Sequence, residues 1–195
     1  MPSPASTRFT LRTALRRFRG NRRGSAAVEF ALVAPIFFAL LFAIIETALM
    51  FFASQVLETI TQNSARAILT GQAQAQGGSV VACQTTPGVV AACDQTTFKA
   101  YVCSQIPALF DCSKLYVDVV STTSFTTLSL TSFGDSCSFN PTGVQYIPGG
   151  SSQVVVVRLF YQWPLFVTGL GYNISNLTGN KRLLVATAAF KNEPY

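Results

Sequence analysis

Three groups of side chains in this 195-residue sequence could carry chemistry: five cysteines, two acids set inside an apolar run, and seven arginines crowded ahead of that run. Cys83, Cys93, Cys103, Cys112 and Cys137 all follow the apolar run, a one-sided placement that suits an oxidising compartment where thiols pair. Cys103 and Cys112 close a short loop and are the first expected disulfide, with Cys83 and Cys93 the second. Each would constrain the unfolded chain. Cys137 is left over, either free or available for an intermolecular bond. Zinc is the competing use of thiols, but histidine is absent and no Cys-x2-Cys pair occurs, so no metal-ligand set is expected. The lack of histidine also removes the commonest general base and pH switch. There is no phosphate-binding glycine loop, nucleophile elbow or recognisable acid/base pair, and Asp111 and Asp118 read as ordinary solvated acids. Catalytic, cofactor-binding and metal-binding residues are therefore not expected, and the chain reads as something other than an enzyme.

The charge pattern indicates where the chain sits. Residues 1–24 hold Arg8, Arg12, Arg16, Arg17, Arg19, Arg22 and Arg23 without an acid, giving +7. The remainder holds seven Lys/Arg against eight Asp/Glu, giving −1, and together these make the net +6. A nucleic-acid binder spreads its basic residues over a folded surface, so this pattern is a topology signal and no nucleic-acid partner is expected. From Ala26 to Ala53 the chain is apolar except for Glu29, Pro35, Glu46 and Thr47. As a helix that stretch is about 40 Å long, more than the roughly 30 Å of a bilayer's hydrocarbon core. Arginine on one flank alone assigns that flank to the cytoplasm. The run is too long for a cleaved secretory signal, so signal and anchor read as one retained helix. Intramembrane acids are costly and usually have a role: Glu46, near the exported end, reads either as a helix–helix contact or as an interfacial residue.

The elements after the span follow from periodicity. Ser54 to Gln76 continues the helix with one apolar face (Val56, Leu57, Ile60, Ala67, Ile68), and Gly71 or Gly77-Gly78 are plausible stops. Pro87-Gly88 marks a turn, and a short helix is expected over Thr97–Phe110, with Pro107 blurring its end. Leu115–Thr122, Gln153–Trp163 and Arg182–Lys191 read as strands, the second central because its apolar run is continuous; the glycines and prolines of 123–152 predict turns. The fold class is α+β: a long N-terminal helix, transmembrane first and amphipathic second, packed on a small antiparallel sheet of about three strands. The expected division is a leader (1–24), a transmembrane helix (25–53), its continuation (54–76) and an exported domain (77–195). Asn173 and Asn176 begin glycosylation-like triplets. Trp163, Pro164 and Phe166 read as a strand-end core cluster or a partner-binding patch.

The junction Arg22-Arg23-Gly24-Ser25-Ala26-Ala27-Val28-Glu29-Phe30 resembles the prepilin-peptidase site of type IV pilins of the tight-adherence class: glycine, four residues, glutamate, then an aromatic. With the helix exit Gln62-Asn63-Ser64-Ala65-Arg66, the segment from Cys103 through Cys112 to Asp118, the strand around Arg158, Tyr161, Trp163 and Pro164, and the ending Phe190-Lys191-Asn192-Glu193-Pro194-Tyr195, the chain resembles the TadE-like minor pilins (pseudopilins) of bacterial tight-adherence pili. Phe30 departs mildly, since many such pilins have Tyr there. The resemblance implies a pilin-like fold and cleavage after Gly24, where the absent side chain lets the backbone extend into the peptidase. It also implies a new amine on Ser25 and a Glu29 that complements such an amine, in assembled pilins that of a neighbouring subunit.

The implied partners are a prepilin peptidase, other pilins or pseudopilins, the inner-membrane assembly platform and the lipid bilayer. The implied location is a single pass through the bacterial inner membrane with the C-terminal domain in the periplasm, and entry into the pilus after processing. The first reading is a structural component of pilus assembly, here a minor pilin. The alternatives are an uncleaved, signal-anchored periplasmic module and an exported enzyme with an unrecognised site.

Overall fold

The computed structural model of the chain describes residues 24–74, 92–134, 137–168 and 172–194. Compact units divide at Ile44/Ile45. One helix, α1 (Ser25–Leu69), runs through that division with Pro35 inside it. No residue described between Ala26 and Ile45 is buried. The described part of the first unit is thus an apolar helix without a buried residue.

In the second unit the helix changes character at Glu46. Glu46, Met50, Ala53, Leu57, Ile60, Ser64, Ala67 and Ile68 are buried, a three-and-four spacing that defines one face of a helix. This stripe packs on a three-stranded antiparallel sheet of β1 (Leu115–Thr122), β2 (Val154–Pro164) and β3 (Lys181–Lys191), ordered β1-β2-β3. The α+β architecture and the central place of β2 agree with the sequence.

Register explains which residues meet the helix. Leu115, Val117 and Val119 of β1 stand opposite Tyr161, Leu159 and Val157 of β2. The last three stand opposite Leu184, Ala186 and Ala188 of β3. Successive side chains of a strand point to opposite faces, so these alternate positions form the face that joins the core with Leu57, Ile60 and Ile68. Burying each large aliphatic side chain there stabilises the fold by about 1.5–3 kcal/mol. The opposite face of β1 and β2 is covered by the connection 123–153, whose Phe133 and Phe139 pack on Phe160 with centroids 5.1 and 5.4 Å away. Two covered faces account for the unbroken burial of β2 from Val154 to Tyr161. On β3 burial alternates from Leu184 onward, as expected for an edge strand with one face in solvent.

The helix ends differ from the expected ones for local reasons. α1 closes at Leu69, and Gly71 takes φ +76° beyond it. The Ala73 amide donates to the Ala67 carbonyl and the Gly71 amide to that of Ile68, a C-terminal cap in which glycine carries the left-handed residue at no steric cost. α2 (Gln95–Ser104) starts and stops earlier than the sequence suggests. Asp94 and Thr97 form a reciprocal capping box that starts it at Gln95, and it ends ahead of Pro107, which disfavours helix before it. Phe98 and Val102 are its buried residues. A disulfide joins Cys103 at the end of α2 to Cys112 in the turn before β1, with Cα atoms 5.8 Å apart. Gly149 also requires glycine: at φ +68°, a Cβ there would lie 2.7 Å from Gln153 Oε1 and 2.8 Å from Ser121 Cβ.

Candidate functional site: the N-terminal helix and the contacts that seat it

Gly24 is exposed immediately before α1, and a Cβ on it would meet nothing within 4 Å. Among the described residues no packing therefore demands glycine there. Ser25 is the first residue of α1. Glu29 and Phe30 follow in its first turns, both exposed, Phe30 at 69%. Glu29 has no hydrogen-bond or ion-pair partner among the described residues. Beyond it Leu32, Val33, Ile36, Phe37, Leu40, Phe42 and Ile44 are exposed around the helix. Residues 26–69 form the one helix among the described residues long and apolar enough to cross a membrane.

Glu46 has a partner that neither sequence reading anticipated. Its carboxylate accepts hydrogen bonds from the backbone amides of Phe166 (to Oε1) and of Val167 (to Oε2, 3.0 Å), and the residue is 6% exposed. The neighbouring Thr47 hydroxyl is hydrogen-bonded to the Tyr172 hydroxyl. The loop leaving β2 is thus fastened at two points to consecutive residues of α1. An acid in this position satisfies two backbone donors that would otherwise be left open, each such charge-assisted bond contributing about 1.5–3 kcal/mol. No side-chain pattern marks backbone donors this distant in sequence, so only the fold reveals them.

Trp163, Pro164 and Phe166 do not form one cluster. Trp163 is buried against Phe110 and Tyr161, at 6.0 and 6.2 Å between centroids. Phe166, three residues on, is 84% exposed.

Asp118 is not the solvated acid its sequence context suggested. It is 1% exposed and faces Arg158 across the β1/β2 ladder. The Arg158 Nε and Nη2 donate to Asp118 Oδ2 at 3.0 and 2.7 Å, while Oδ1 accepts from the Gln145 amide at 2.9 Å. Arg158 Nη1 donates to the Thr131 carbonyl at 3.0 Å, and the guanidinium lies 4.7 Å from the Phe133 ring centre. The covering connection buries both charges and then satisfies them. The pair is a clamp holding residues 131 and 145 on the sheet.

Asp111 is exposed and caps the turn at Cys112 by accepting from the Ser113 amide and hydroxyl, bonds that hold its carboxyl below the usual range. Asp94 is held low in the same way by its bonds from the Thr97 backbone and side chain. The Tyr146 phenol is pushed well above its ordinary value, first by burial and then by the charge of Asp94. These shifts belong to caps and packing; the groups do not converge on a common cavity.

Cys93 is disulfide-bonded, and Cys137 is free and exposed. Cys83, the arginines of residues 1–23, the Gly77-Gly78 stop and the Pro87-Gly88 turn lie outside the described residues. Asn173 and Asn176 spend their side-chain oxygens on the amides of Ser175 and Leu183. Among the described residues no group of three or more His, Cys, Asp or Glu side chains could hold a metal ion.

No curated protein and no solved structure matches the chain. Residues 24–66, from the glycine before α1 to the helix's docked half, match the model of the TadE-like protein family, and it is to that family that this part of the chain is similar.

Proposed function

We propose that the chain is a minor pilin or pseudopilin that acts structurally in the assembly of a tight-adherence pilus. The observation that carries this reading is the coincidence of the family match with one helix. Residues 24–66 contain the exposed apolar stretch and most of the stripe that docks on the sheet. A helical stretch that is apolar on all sides and unburied among the described residues suits lipid before assembly and other helices after it. The arginines before it direct that end to the cytoplasm, and the domain after it is exported across the bacterial inner membrane.

Processing follows in this reading from the junction. A prepilin peptidase cuts after Gly24, a position where packing among the described residues asks for no glycine. The new amine on Ser25 and the carboxylate of Glu29 lie about 6 Å apart along the axis. Glu29 is exposed and has no partner among the described residues, which suits it to the amine of an adjacent subunit; pairing removes the cost of two isolated charges in an apolar bundle. The domain caps, primes or joins the fibre, and the role is structural, not catalytic.

Co-purification tests incorporation. In cells carrying the complete pilus system, the processed chain should be found with pili sheared from the surface and purified, and a Glu29→Ala chain should be reduced in that fraction while remaining in the membrane. Full retention of the parent chain in the inner membrane of piliated cells would favour the second reading, an uncleaved periplasmic module of the assembly machinery.

A further inference from the structure

We infer that the loop leaving β2, Pro164–Thr168, enters the outer leaflet of the membrane beside α1, with Phe166 as the inserted side chain. The inference rests on the reading of α1 as a membrane span. Burial on α1 begins at Glu46, but exposed apolar surface does not stop there: Leu49, Phe51 and Phe52 are 45%, 63% and 58% exposed on the side away from the sheet. Phe52 lies about 9 Å along the axis past Glu46. The level of Glu46 is thus inside the apolar zone of the helix.

Phe166 and Val167 are tied to that level. Their amides donate to the Glu46 carboxylate, and Tyr172 is bonded to Thr47. Phe166 is the most exposed of the large apolar side chains among the described residues, at 84%. From Pro164 to Val167 the backbone leaves no amide donor open, as lipid requires. Pro164 has no amide hydrogen, the Leu165 amide donates to the Asn180 carbonyl at 2.9 Å, and Glu46 takes the next two. A loop facing water needs none of these arrangements. An apolar ring such as that of Phe166 suits burial at the headgroup/acyl boundary. The occupant of this surface is therefore the lipid acyl chain nearest the headgroups, continuous with the lipid around α1.

The test uses the full-length protein in vesicles of phosphatidylethanolamine and phosphatidylglycerol. Phe166→Trp, Phe37→Trp and Phe125→Trp are each read against the parent chain, whose single tryptophan is Trp163. Phe166 and Phe125 are exposed, so these substitutions disturb little packing. The added emission at position 166 should be blue-shifted, lose intensity with lipids brominated near the top of the acyl chain, and resist aqueous iodide. Position 37 reports the span and should be quenched by deeper bromines, whereas position 125 should be quenched only by iodide. Quenching by bromolipid at 37 but only by iodide at 166 overturns the loop inference and leaves the span intact. Iodide quenching at 37 overturns the span, and the loop inference with it.

Discussion

Asp118 and Arg158 stand directly opposite each other on neighbouring strands and form a buried ion pair, with Nη2 2.7 Å from Oδ2. Every remaining bond of the pair reaches the connection that covers the sheet, at Thr131 and Gln145. Removing one partner leaves the other charge buried and alone. Arg158→Met should lower stability by about 3–5 kcal/mol in denaturant unfolding of the detergent-solubilised chain. Adding Asp118→Leu should recover much of that loss, because the two sites are coupled and their costs do not add.

Glu46 should act on the loop after β2 more than on the helix that carries it. Glu46→Ala frees the amides of Phe166 and Val167, and hydrogen exchange at both should accelerate by an amount corresponding to about 1–3 kcal/mol. Glu46→Gln has a single acceptor oxygen and should give an intermediate rate. Amides of β2 itself should be unchanged.

The Cys103–Cys112 bond spans a separation of nine residues. Loop-closure entropy for a loop of that size amounts to about 2–3 kcal/mol. A Cys103→Ser, Cys112→Ser chain should lose stability on that scale while retaining the sheet by circular dichroism. Mass mapping of the non-reduced parent chain should recover a linked Cys103–Cys112 peptide.

Asp94 gives the start of α2 a pH dependence. Its folded carboxyl is held below the ordinary value of 3.8 by the Thr97 bonds. The stability it contributes is therefore complete above that value and is lost as pH falls through the lower folded value. The Thr97 amide resonance should stay constant at neutral pH and move only below about pH 4, and in Asp94→Asn this movement should vanish.

Much of the fold was legible because its signals are local. The apolar run and its arginines mark α1, and the unbroken apolar stretch from Val154 marks a central strand. The Asp118–Arg158 pair was not legible. Strand alternation puts both residues on the face away from the helix, and only the folding of a polar, glycine- and proline-rich connection over that face buries them. A charged residue in the middle of the β2 apolar run, with one acid in β1, was the available signal. At the other end of the molecule, Gly24, Glu29 and Phe30 are legible as a pattern, and all three are exposed.

Processing at that junction is read by the intact mass and N-terminal sequence of the membrane-purified protein with and without a co-expressed prepilin peptidase. The chain should begin at Ser25 only when the peptidase is present. A chain that keeps its arginine-rich head in both samples would contradict it and leave a signal-anchored periplasmic module.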